Sequence, residues 1–168
     1  MINPKLEKAI NEQINAELYS AYLYLSMGAY FEEKGLAGFA NWMRVQFEEE
    51  QFHGLKFFGY LAERGGRVLL DAIDKPETEW DSPIAVFTEV VKHEAHVTSL
   101  INNLIDISIE ERDHATKSFL NWFIDEQVEE EAAAADILNQ LKLVEGDGRG
   151  LLMLDRELAT RVFTPPVA

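Results

Sequence analysis

Residues 66–82 read GRVLLDAIDKPETEWDS, seventeen residues between two long helical stretches. That is too long for a tight turn. Extended chain covers about 3.3 Å per residue, so the segment can run the length of a helical rod. The helices on either side can then lie parallel, joined by a crossover. Its apolar members Val68, Leu69, Leu70, Ile73 and Trp80 are expected to pack the crossover onto the neighbouring helices.

Outward from this segment, proline and glycine punctuate the chain. Pro4 follows Asn3 and Pro83 follows Ser82, each pair reading as a helix N-cap with proline at the first helical position. Glycines cluster at Gly35 and Gly38, Gly65 and Gly66, and Gly146, Gly148 and Gly150, where helices stop or restart. The resulting helices are expected at about 4–34, 38–65, 83–111, 113–144 and 149–162. The boundary near Arg112 has no glycine or proline and rests on Asp113 as a cap. A 30-residue helix spans about 45 Å, so four such rods suit an antiparallel bundle. The expected fold is all-α: a four-helix bundle with one long crossover between helices 2 and 3 and a short C-terminal fifth helix, one domain over 1–168.

Composition narrows the function. The 168 residues hold 15 Lys+Arg against 30 Asp+Glu, a formal charge of −15, with 47% hydrophobic residues to build a core. The absence of cysteine excludes disulfides, thiolate metal sites and a cysteine nucleophile. So acidic a field repels nucleic acid and concentrates cations. No apolar run reaches the length of a membrane span, and the N-terminal residues do not read as a signal sequence. A cytoplasmic protein with no nucleic-acid or membrane partner is expected.

The apolar stripes carry the functional argument. Helix 1 presents Leu6, Ile10, Ile14, Glu17, Ala21, Tyr24, Gly28 and Phe31; helix 2 presents Met43, Phe47 or Gln46, Glu50, His53 or Gly54, Phe57 and Leu61. Helix 3 presents Phe87, Val90, Glu94, Val97, Ile101 and Leu104, and helix 4 Phe119, Phe123, Gln127, Glu130, Ala134, Ile137 and Leu141. Every stripe has a glutamate at an otherwise apolar position. Four unpaired carboxylates in one core are untenable, because burying an unpaired charge costs several kcal/mol or more and like charges raise each other's pKa.

Cations resolve the conflict. Glu17, Glu50, Glu94 and Glu130 carry four negative charges when ionised, matching two divalent metals. Glu50 and His53 are spaced i, i+3 and can reach one ion from one helix face. Oxygen ligands with one imidazole suit iron or manganese, with zinc a further candidate. Iron with O2 gives oxidation at the pair. Tyr24 reads either as a hydrogen-bond or electron donor near the pair or as a core tyrosine, and Trp122 as packing.

The stretches 13-QINAELYSAYLY-24, 41-NWMRVQFEEEQFH-53, 63-ERGGRV-68, 126-EQVEEE-131 and the tail 163-FTPP-166 resemble those of non-haem ferritins of bacteria and archaea over essentially the whole chain. The resemblance implies a ferritin-like fold and a ferroxidase centre in each subunit. Glu17, Glu50 and His53 would hold one iron, with Glu50 bridging to a second held by Glu94 and Glu130. Gln127 would be a weak ligand or a neighbour of the ligands. A third iron site would draw on Glu49, Glu126 and Glu129 with Glu130 shared, although spacing alone reads those three as a solvated acidic face. The resemblance further implies a homo-oligomeric cage of 24 subunits that takes Fe(II) and O2 and stores a ferric oxyhydroxide mineral.

Departures separate this chain from related families. It has one Glu-x-x-His pair, Glu50 and His53, where bacterioferritins resemble a symmetric template with two. Phe52 stands where a bacterioferritin would carry its haem-ligating methionine, so haem is not expected. The fifth helix argues against the shorter DNA-protecting mini-ferritins, and the lack of cysteine against a rubredoxin-bearing protein. The alternatives are a diiron or dimanganese oxidase or peroxidase without storage, and a purely structural helical module. His93 and His96 flank Glu94 without the spacing of a zinc protease and read as interface or surface residues. Gly54 inside helix 2 costs about 1 kcal/mol against alanine and reads as room for a neighbouring side chain or for ligand movement. In helix 5, Leu151, Leu152, Leu154 and Leu158 form an apolar surface expected to be covered by other subunits.

Overall fold

In a computed structural model the chain forms five helices: α1 Pro4–Glu33, α2 Ala37–Glu63, α3 Pro83–Glu110, α4 His114–Leu143 and α5 Gly148–Leu158. Residues 1–165 are described; Pro166, the last residue of the tail motif, lies outside the described residues. Asn3, Ser82 and Asp113 each accept a backbone N–H with their side chains, from Lys5, Ala85 and Thr116, and so start α1, α3 and α4.

The first three helices end alike. Gly35, Gly65 and Arg112 each sit at positive φ (72°, 74° and 54°). The next N–H in each case donates to the carbonyl five residues back: Leu36 to Phe31 (3.0 Å), Gly66 to Leu61 (3.0 Å) and Asp113 to Ser108 (2.8 Å). Arg112 therefore does a glycine's work at the α3–α4 turn, at a cost of about 1–2 kcal/mol for a residue with a Cβ. That is why no glycine marks the turn. Nearby, Arg64 donates to both oxygens of Asp113 (3.1 and 2.8 Å), pinning the end of α2 to this turn. The guanidinium holds the Asp113 carboxyl down at about 2.

α1 and α2 form one hairpin and α3 and α4 another. Between them, residues 66–82 run along α1, which grips the crossover through its main chain. Asn11 Nδ2 donates to the Arg67 carbonyl (3.0 Å), Asn15 Nδ2 to that of Ala72 (3.0 Å) and Ser26 Oγ to that of Glu77 (2.7 Å). Trp80 then packs edge-on against Tyr30. This corrects the expectation of apolar packing for Leu69, Leu70 and Ile73 but not for Val68 and Trp80, which pack on the two apolar clusters. Leu69, Leu70 and Ile73 are exposed, and of the apolar run only Val68 and Trp80 are partly buried, because polar bonds to the main chain fix the segment.

The core is divided. One apolar cluster, including Met27, Phe31, Phe39, Met43 and Phe87, fills one end of the bundle; another, including Ile10, Ile14, Phe57, Leu104 and Phe123, fills the other. The expected stripes are buried except Phe47 and Phe119, which are half-buried; Gln46 and Leu120 take the inward places, and His53 and Gly54 are both buried. No described helix is long and apolar enough to cross a membrane.

α5 docks on α2 within the same chain. Leu154 and Leu158 are buried there while Leu152 and Met153 are exposed, so half of the surface expected to await other subunits is covered internally. α2 has no side-chain cap of its own at Leu36. Instead Asp155 Oδ1 of α5 accepts from the N–H groups of Gly38 (2.8 Å) and Phe39 (3.0 Å). α5 ends at Leu158, short of the expected 162, because Asn41 Nδ2 gathers the carbonyls of Leu158 (3.2 Å) and Arg161 (3.0 Å) and turns the chain back over α2.

A Cβ on Gly38 would collide with the Asp155 backbone, whereas one on Gly59 would meet nothing within 4 Å. Gly38→Ala is expected to cost about 1–3 kcal/mol, and Gly59→Ala to gain up to about 1 kcal/mol. Calorimetric unfolding midpoints should move in opposite directions; an unshifted G38A protein would deny that this contact anchors α5.

Candidate metal centre

The layer between the two apolar clusters is polar. Glu17 comes from α1, Glu50 and His53 from α2, Glu94 from α3, and Gln127 and Glu130 from α4, each at the inward position of its stripe. None is more than 6% exposed, so water does not solvate these carboxylates. Ligand atoms of Glu17, Glu50 and His53 lie within 4.8 Å of one another, and so do those of His53, Glu126 and Glu130.

Neutral side chains hold the carboxylates from behind. Gln13 Nε2 donates to Glu17 Oε1 (2.8 Å), and Gln46 Nε2 to Glu130 Oε2 (2.9 Å). The Tyr24 hydroxyl donates to Glu94 Oε1, while Gln127 Nε2 donates to Glu94 Oε2 (3.2 Å) and to Thr98 Oγ1 (3.2 Å). Glu17 Oε2 and Glu50 Oε2 are buried with no hydrogen-bond partner. His53 Nδ1 lies 3.4 Å from Glu50 Oε2, without hydrogen-bond geometry. Buried oxygens are rarely left bare. Two bare oxygens beside one imidazole form a donor set that fits a divalent cation of the iron, manganese or zinc type.

The electrostatics agree with that fit. Burial, and then neighbouring carboxylates, push Glu17 and Glu50 well above the usual 4.5. Burial and Glu94 push Glu130 up to about 8. Burial also raises Glu94, offset by the bonds from Tyr24 and Gln127. Burial, then Glu94, drives the Tyr24 phenol well above its ordinary range, so Tyr24 stays a neutral donor to Glu94. A cation in this layer would supply the charge that the desolvated carboxylates lack.

Of the three further acidic residues, Glu126 joins His53 and Glu130, Glu129 is exposed, and Glu49 is ion-paired with Arg161 at 2.6 Å. His93 is half-buried. Its Nε2 lies 2.8 Å from Ser20 Oγ, its ring packs on Tyr19 and Tyr24, and burial lowers it to about 4, leaving it neutral; His96 is exposed. Gly54 brings α2 close to α1, where an added Cβ would touch Leu18 (3.4 Å) and Glu17 Cβ (3.6 Å). Trp122 packs edge-on to His53 with ring centroids 5.5 Å apart. Gln13 and Gln46 are not among the site residues the sequence predicts, although each stands one helical turn before a candidate ligand on the same stripe. Arg161 gave no local signal.

A Ferritin-like domain family model matches residues 7–144. The bacterial non-heme ferritin of Bacteroides fragilis is 47% identical over 161 residues, covering 96% of this chain and all of that protein. That of Staphylococcus aureus is 38% identical over 163 residues, covering 97% of this chain and 98% of that protein. Among solved structures, an engineered closed form of the Archaeoglobus fulgidus ferritin superposes with a TM-score of 0.97 at 53% identity, covering 98% of this chain and all of that one. An open-pore ferritin of the same organism gives 0.95 at 53% identity over 96% of this chain and 98% of that one.

The raised carboxyls bind their protons more tightly folded than unfolded, so ionising them opposes folding. Their contribution is complete below the usual 4.5 and is lost as pH rises through the folded value, about 8 for Glu130. The unfolding midpoint of the metal-free protein should therefore fall between pH 5.5 and about 8.5, and Zn²⁺ should restore it at the upper end. A midpoint flat in pH and indifferent to Zn²⁺ would count against a shared cation pocket.

Proposed function

Because this chain belongs to the ferritin family, we propose that it oxidises Fe²⁺ with O2 at the buried carboxylate–imidazole layer and retains the ferric product as a mineral. The observation carrying this reading is the group of Glu17, Glu50 and His53, with bare oxygens on both carboxylates.

In this reading Glu17, Glu50 and His53 bind one ferrous ion as substrate, and Glu50 is shared with a second bound by Glu94 and Glu130. Each ferrous ion gives up one electron, and O2 accepts both with two protons, leaving as hydrogen peroxide. The protein's contribution is to hold two cations together away from water, with the carboxyl and imidazole ligands already in place before the ions arrive. Glu130, which keeps its proton near neutral pH, releases it as a cation enters. Gln13, Gln46, Gln127 and Tyr24 keep the carboxylates aimed inward. Glu126, with Glu49 and Glu129 beside it, belongs to a third cation position. Mn²⁺ and Zn²⁺ are substitutes for the same donor set.

We assign the assembly as a hollow homo-oligomer of 24 chains in the cytoplasm. Exposed apolar side chains on α1 (Tyr22 and Leu25) and on the crossover lying along it (Leu69, Leu70 and Ile73) support burial against other copies.

Glu50→Ala and His53→Ala should each slow Fe²⁺ oxidation at least about ten-fold, followed by ferric absorbance, the scale of losing one interaction at the reacting centre, while the particle mass by light scattering stays that of the parent. Normal oxidation rates in both variants would remove the site. Iron retention saturating at two ions per chain would favour an oxidase without storage.

A further inference from the structure

The segment after α5 folds back onto the metal-binding helix. Asn41 holds the Arg161 carbonyl at 3.0 Å, which sets the Arg161 guanidinium over the Trp42 ring, 4.6 Å from its centroid. Arg161 Nη2 then meets Glu49 Oε2 at 2.6 Å, with the two side chains 25% and 20% exposed. Phe163 continues over Phe52. The surroundings of Glu49 are those of the candidate centre: besides Arg161, its ionisable neighbours include His53 and Glu126.

We propose that Arg161 is a built-in cation that competes with iron for Glu49, so that the third cation position fills only when the C-terminal segment releases that carboxylate. This rests on the function proposed above, in which Glu49 and Glu126 serve a third ion.

The physics of the pair supports competition rather than a permanent tie. A guanidinium does not lose its proton in a protein, so Arg161 cannot leave Glu49 by titrating and must be displaced. Displacement leaves Arg161 provided for: its Nη1 lies 3.5 Å from the Trp42 carbonyl, it keeps the indole face, and one quarter of its side chain already meets solvent. An incoming divalent ion brings two charges against one and can also draw on Glu126, which guanidinium does not contact. The first two ions meet no such competitor, since Glu17 and Glu50 have bare oxygens. Filling is therefore ordered, the buried pair first and the third ion at higher ferrous concentration. By reciprocity, the third ion loosens residues 159–165 as much as their docking weakens the ion.

The test is calorimetric titration of the assembled protein with Zn²⁺, which has no redox chemistry, in the parent, R161K, R161Q and the double variant R161Q/E49Q. Two tight ions per chain are expected in all four. A third, weaker ion should tighten about ten-fold in R161Q, the scale of one partly buried ion pair. It should stay near the parent value in R161K and be lost in R161Q/E49Q. Amide exchange in residues 159–165 should rise in the parent as the third ion binds and not as the first two bind. Unfolding midpoints within a few degrees of the parent keep a folding defect out of the comparison. An R161Q titration superimposing on the parent overturns the proposal while leaving the two-ion centre standing. Absence of the two tight ions from the parent overturns the function on which it rests, and the proposal with it.

Discussion

Four glutamates in a bundle interior that excludes water set the terms for everything else in this protein. Desolvating a carboxylate costs several kcal/mol, and each of the four main helices contributes one. The chain answers in two ways. Around the layer it supplies neutral donors, Gln13, Gln46, Gln127 and the Tyr24 hydroxyl, that partly satisfy the oxygens without neutralising them. Above and below it stacks aromatic and aliphatic clusters whose burial outweighs the polar layer. The metal-free fold is thus held together at its two ends and frustrated in its middle, a frustration that a bound cation would relieve.

Much of this could be read in one dimension because helical periodicity makes an acidic residue in an apolar stripe conspicuous. Glu17, Glu50, Glu94 and Glu130 all stood out in this way, and all four are buried where the stripes placed them. Features that depend on distant segments meeting left no such mark. Asp155 caps α2 across more than a hundred residues of sequence, and Arg161 reaches Glu49 over a similar span. The α3–α4 turn hid its left-handed residue because an arginine occupies it. The crossover misled for a related reason. Its leucines suggested inward packing, whereas its course is set by Asn11, Asn15 and Ser26 on α1, polar residues at positions outside the apolar stripe.

Helix α5 is a working part of the bundle despite its eleven residues. It supplies the cap that α2 lacks, buries Leu154 and Leu158 against the aromatic cluster, and delivers the following segment to the edge of the candidate centre. Docking and the candidate metal centre share α2: Gly38, Asn41, Trp42, Glu49, Glu50 and His53 lie on one helix, which links the C-terminal segment to the candidate ligands.

The grip of α1 on the crossover engages carbonyl oxygens, which every amino acid carries. The attachment is therefore blind to the identity of Leu69, Leu70 and Ile73, whose side chains point away from the bundle. Mutational drift can rewrite that outer stripe without moving the helices that frame the interior. In the proposed assembly, contacts made by that stripe can therefore change while the carboxylate–imidazole layer inside each chain is left as it is.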